Sequence, residues 1–148
     1  MSEAPPPPRA VPDGFEPSAR SSNFLETVGP LYERERDGDY RIGLFVDERH
    51  VNNRGFCHGA LMALLADVHL GRLCALSTTP RLNVVTSNLT LAFLSTARLG
   101  AWLEARGQID RIGKALAHSS GVVTADGTPV LRATGTFAVV AVPAGKAA

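Results

Sequence analysis

The residues of this chain best suited to chemistry fall in one stretch, Asn52-Asn53-Arg54-Gly55-Phe56-Cys57-His58-Gly59-Ala60, and in an aspartate that follows it, Asp67. Gly59 and Ala60 are small, and a glycine lets a ligand approach the backbone closely. If a helix begins here, its first N–H groups are free and lie at the positive end of the helix dipole. That combination polarises a carbonyl oxygen. Asp67 interrupts a run of Ala and Leu, where a carboxylate must be buried or face a cleft, and so be paired, hydrogen-bonded or functional. The bland alternative is an aspartate on the solvent side of a helix.

His58 and Asp67 are nine residues apart. On one helix that is about 13 Å along the axis, and about 900° of rotation sets them on opposite faces. Within one chain they cannot attend the same bond. If both serve one active site, Asp67 comes from a second subunit and the site lies at a dimer interface.

Other candidates carry less. Asp67 and His69, at i and i+2, do not face each other on a helix, so no metal pair is expected. Cys57 at a helix start could have a lowered pKa and act as a nucleophile, although no Cys–His–Asn arrangement can be checked from spacing. His69 reads as a packed helix residue, His118 as structural or interfacial, and Trp102 as strand packing. There is no Gly-x-Ser-x-Gly, phosphate-binding loop or dinucleotide glycine pattern.

The elements that must hold these residues are legible in outline. Residues 1–17, with six prolines and few large apolar groups, read as a flexible arm, and residues 18–148 as one domain. Ser21 or Ser22 can cap a short helix ending near Gly29-Pro30. Strand-like runs at 31–36 and 40–46 flank Asp37-Gly38, a good hairpin turn. Residues 47–57 read as a loop. From 58 to about 76 the apolar residues cover nearly the whole circumference of a helix, which marks it as buried. Strands follow at about 83–94, 101–110, 114–125 and 129–142. One buried helix wrapped by an antiparallel sheet of five or six strands is an α+β fold.

Composition sets the outer bounds. A chain of 148 residues with 45% hydrophobic and 20% charged residues suits one soluble domain with one core. A formal net charge of +1 argues against nucleic-acid or membrane-surface binding. The N-terminus lacks the basic start and apolar stretch of a signal peptide. The apolar segment 59–76 is broken by Asp67, His69 and Arg72, so it is not expected to span a bilayer. Cys57 and Cys74 are read as reduced thiols, and the cytoplasm is the expected location.

The run Asn52-x-x-Gly55-x-x-His58-Gly59-Ala60, followed by Asp67 and Gly71, resembles the hotdog-fold thioesterases of the phenylacetate-pathway type, whose pattern is N-x-x-G-x-x-H-G-G with an aspartate on the helix. The resemblance extends through Asn88 to Leu94, Ala97 to Gly100, Arg111-x-Gly113-Lys114 and Gly135-Thr136-Phe137, and covers roughly residues 24–142. It implies acyl-CoA hydrolysis by a homodimer or homotetramer with a cross-subunit site, in agreement with the helix geometry. Asp67 would be the nucleophile or the general base for water. The Gly59 N–H would bind the thioester oxygen, with His58 and Asn52 positioning the carbonyl or the water. Thr86 would lie near the attacking water, and Arg111, Gly113 and Lys114 would contact coenzyme A.

Two departures stand out. Ala60 replaces the second glycine of His-Gly-Gly. Asp47-x-x-His50-Val51-Asn52-Asn53 resembles another hotdog thioesterase branch, in which the earlier aspartate is catalytic, but its spacing is one residue short, and Asp67 is preferred. The resulting expectation is a cytoplasmic acyl-CoA thioesterase with no metal or redox cofactor, coenzyme A entering only as part of the substrate. The rival readings are a hotdog enoyl-CoA hydratase or dehydratase and a non-catalytic acyl-CoA-binding module.

Overall fold

The computed structural model describes residues 9–20 and 22–142. The elements run β1 (Glu16–Pro17), α1 (Asn23–Val28), β2 (Tyr32–Arg36), β3 (Asp39–Phe45), α2 (Gly59–Leu76), β4 (Val84–Phe93), β5 (Trp102–Ile112), β6 (Leu116–Ala125) and β7 (Thr128–Val139). All strands join one antiparallel sheet in the order β1-β2-β3-β5-β6-β7-β4. The α+β hotdog architecture expected from the sequence is present, with one more strand than expected.

Local chemistry explains the boundaries. Ser22 caps α1 by accepting from the Leu25 N–H at 3.3 Å, while Ser21, the other candidate cap, lies outside the described residues. Asp37 and Gly38 both have positive φ, 53° and 80°, as a two-residue turn of this hand requires. His58 caps α2, its Nδ1 accepting from the Ala60 N–H at 3.1 Å.

The sheet curls around α2. Leu61, Met62, Leu65, Ala66, His69, Leu70 and Cys74 on the helix are buried against inward residues of the sheet such as Leu103, Ala117, Val123, Leu131 and Phe137. Those sheet residues alternate along their strands with outward ones, as the period of two demands. A helix apolar enough to cross a bilayer is here the core of the domain.

The extra strand lies in the arm. Of residues 1–17, those described are 9–17, and they are docked. Phe15 is buried with its ring edge-on to Trp102 at 5.1 Å, Arg9 pairs with Asp126 at 2.8 Å, and β1 pairs with β2. A single aromatic anchor thus holds a proline-rich segment whose composition suggested looseness.

The stretch 47–57, read as a loop, is also more ordered than expected. Glu48–His50 form a 3-10 turn capped by Asp47. His50 is buried: its Nδ1 accepts from the Asp47 N–H at 3.0 Å and its Nε2 donates to the Val28 carbonyl at 2.7 Å. Val51 and Cys57 then pair as an isolated bridge.

Candidate active site

The start of α2 gathers three of the predicted residues. Asn52 Oδ1 accepts from the backbone N–H groups of Arg54 at 2.9 Å and Phe56 at 3.3 Å, an Asx turn that folds the chain back toward the helix. The His58 N–H donates to the His50 carbonyl at 2.7 Å, fixing the residue that begins the helix. Because His58 Nδ1 accepts a hydrogen bond, the neutral ring carries its proton on Nε2. Among the described residues, the Asn52 amide nitrogen, His58 Nε2 and the Gly59 N–H have no protein acceptor. Two of these donors, His58 Nε2 and the Gly59 N–H, belong to the residues that open a buried helix at its positive end, a setting suited to a carbonyl oxygen that gains negative charge.

Gly59 lies close under the ring of Phe93. A Cβ there would meet ring atoms of Phe93 at 3.0, 3.4 and 3.6 Å, so the last residue of β4 packs directly on the helix start.

Asp67 lies two and a half turns further on, partly buried, with Oδ1 accepting from Thr86 Oγ1 at 2.7 Å. Thr86, though exposed, stands on the α2 side of β4 because the strand carries a bulge at Ser87: Thr86 pairs with Phe137 and Asn88 with Thr136. The structure therefore brings Asp67 and Thr86 together and leaves Asn52, His58 and Gly59 as a second group at the other end of β4.

Arg111, Gly113 and Lys114 lie where β5 turns into β6, with Arg111 and Lys114 exposed. The Val139 N–H donates to the Ala115 carbonyl and the Val140 N–H to the Asn83 carbonyl, both at 2.9 Å. These bonds put that turn at the end of the sheet where β4 starts, the Asp67–Thr86 end.

The other candidates have structural duties. The Asp47 carboxylate caps the 3-10 turn and grips Arg49, whose Nη2 is 2.7 Å away. Burial alone would raise its pKa, but the hydrogen bonds from Arg49 hold it below the usual carboxylate range. Arg49 in turn donates to the carbonyls of Thr27 and Gly29, tying the turn to α1. Cys57 is buried, and burial pushes its thiol up to about 11, the reverse of an activated nucleophile. His69 is buried, donates from Nε2 to the Tyr40 carbonyl at 2.9 Å and stacks on the Tyr40 ring. His118 contacts Thr136, and Trp102 packs among Phe15, Tyr32 and Phe45. Among the described residues no His/Cys/Asp/Glu group is arranged to hold a metal. The contact of Phe93 with Gly59 escaped the sequence reading, which met Phe93 only as part of the run Asn88 to Leu94, since a phenylalanine in a strand gives no sign of what it packs on.

Residues 54–140, more than half of the chain, match the thioesterase superfamily. The chain belongs to that family. Its activity class is thioester hydrolysis, and the expected resemblance to thioesterases holds at the level of the family. A Pseudomonas aeruginosa protein named as a candidate esterase is 38% identical to this thioesterase over 128 residues, 86% of this chain and 96% of that one. A Bacillus halodurans protein solved with CoA superposes on it with a TM-score of 0.69 at 26% identity, covering 74% of each chain. The E. coli PaaI protein from the phenylacetic acid degradation operon shares the fold, with a TM-score of 0.68 at 21% identity over 75% of this chain and 80% of that one.

Proposed function

We propose that this thioesterase hydrolyses acyl-CoA as a homodimer or a dimer of dimers, with each active site built from two subunits. The observation that carries this reading is the division of the polar residues into two groups along α2. The Gly59 N–H and His58 Nε2 are free donors at its start, while Asp67, held by Thr86, lies on another face.

In the proposed reaction the thioester oxygen accepts from the Gly59 N–H, with His58 Nε2 and Asn52 beside it. The partner's Asp67 takes a proton from a water, whose oxygen bonds to the carbonyl carbon. The resulting oxyanion is stabilised by the donors at the helix start. The C–S bond then breaks, the electron pair leaves on sulfur, and the carboxyl proton returns to the departing thiolate. In the alternative, the carboxylate itself bonds to the carbonyl carbon and the thiolate leaves, giving a mixed anhydride that water splits into the free acid and the restored carboxylate. Arg111 and Lys114, exposed at the Asp67 end, offer positive charge to the phosphates of coenzyme A, with Gly113 leaving room for close approach.

The open edge of β4 supplies the contact. Among the described residues β4 bonds only to β7, and Val85, Phe93 and Leu94 on or beside it are 56%, 55% and 49% exposed. An open edge with apolar side chains is a surface for strand pairing. Opposed residues in an antiparallel pair must face the same side. Pairing Thr90 with the partner's Thr90 satisfies this, setting Leu89 against Leu91 and Asn88 against Ala92. The bulge at Ser87 then sets Thr86 against the partner's Phe93. One subunit's Asp67–Thr86 group is thereby beside the other's Gly59.

The test is thiol release from short, long and aromatic acyl-CoAs by wild type and Asp67→Asn. A fall of about a hundredfold or more in a folded variant supports the reading, as loss of a catalytic base should. Undiminished release from the variant overturns it.

A further inference from the structure

Phe93 is a large apolar side chain that is 55% exposed, and it lies against the one backbone amide to which the reaction has been assigned. Its ring approaches the site of a Gly59 Cβ to 3.0 Å. Adding one Cα–Cβ bond of about 1.5 Å, the ring is at most about 4.5 Å from the Gly59 α-carbon. An acyl group whose carbonyl oxygen accepts from that amide has its next carbons within van der Waals reach of the ring. Asn52 and His58, assigned above to the carbonyl, are polar. Phe93 is the apolar side chain in direct contact with Gly59.

We propose that Phe93 is a specificity-determining residue that selects acyl groups whose first carbons are apolar, alkyl or aryl, over those bearing a charge near the carbonyl. This rests on the thioesterase reading above and adds the acyl side to it. An apolar ring favours apolar carbon by excluding water from both, and it offers a carboxylate no partner for the hydration it loses. Strand pairing about Thr90 sets the ring opposite the partner's Thr86, so it also borders the path by which the attacking water reaches the carbonyl.

The experiment compares kcat/KM for butyryl-CoA, benzoyl-CoA and succinyl-CoA in wild type, Phe93→Ala and Phe93→Leu, with oligomeric state followed by sedimentation. Wild type is expected to favour the two apolar thioesters over succinyl-CoA by about tenfold or more, a difference of the size apolar pockets achieve. Phe93→Ala should lose most of that preference, because the apolar rates fall while the succinyl rate changes less than about threefold. Phe93→Leu should retain it. An equal fall of all three rates in Phe93→Ala, with or without dissociation of the oligomer, would overturn the proposal, since a merely structural ring affects every substrate alike. A wild type that hydrolyses none of the three thioesters, nor any in the wider panel, would instead overturn the thioesterase reading itself.

Discussion

Thr86 Oγ1 donates to Asp67 Oδ1 at 2.7 Å, joining the edge strand β4 to the middle of α2. The bond fixes one carboxylate oxygen and leaves Oδ2 without a partner among the described residues. In the proposed reaction, a base aimed in this way loses less freedom when it takes a proton from water. Thr86→Val keeps the shape and removes the donor. A hydrogen bond to a charged group is worth about 1.5–3 kcal/mol, so kcat should fall about tenfold to a hundredfold with KM little changed. Thr86→Ser should restore most of it. An unchanged kcat in Thr86→Val would remove the positioning role.

The strand pairing inferred for β4 can be trapped. In a pair centred on Thr90 the two Thr90 α-carbons would be about 4.5–5.5 Å apart, within the range a disulfide spans. Thr90→Cys should give a covalent dimer on mild oxidation, read on a non-reducing gel, and reduction should reverse it. A variant that stays monomeric on the gel while sedimenting as a dimer would contradict this register.

Much of this arrangement is legible in the residue types. Asp37-Gly38, the Ser22 cap and the apolar run from 59 to 76 place their elements within a residue or two, because each depends on neighbours in sequence. The docked arm is not legible, since Phe15 is held by Trp102, far away in the chain. Nor is the duty of Asp47, which depends on its contacts with Arg49 and on the buried His50. For the site, the nine-residue spacing already sets His58 and Asp67 on opposite faces of one helix, and the two-subunit site proposed above rests on that separation. The contact of Phe93 with Gly59 and the bulge that turns Thr86 toward Asp67 emerge only when the strands are in register.

His69 makes stability depend on pH. Burial lowers its pKa, and the bond to the Tyr40 carbonyl only partly opposes this. The unfolded imidazole takes up a proton below about pH 6.5, while the folded one stays neutral to lower pH. The unfolded state therefore binds more protons in that window, so the stability present above about pH 6.5 is lost as pH falls through the folded value. The slope is at most about 1.4 kcal/mol per pH unit for one proton. Tm measured from pH 7 to pH 5 should fall, and it should fall less steeply in His69→Gln. Equal slopes would show that other groups carry the dependence.

The shared site is tested most directly by mixing two variants, each inactive alone. Asp67→Asn removes the carboxylate. Gly59→Pro removes the N–H at the first helical position, where the fixed φ of proline is accepted, although the flexible Phe93 ring must shift to admit it. Subunits exchanged at random should contain one intact site in each hybrid dimer, restoring about a quarter of the wild-type thiol release. A mixture that exchanges subunits, as mass analysis of the hybrids would show, yet stays as inactive as its parents would contradict a site built from two subunits.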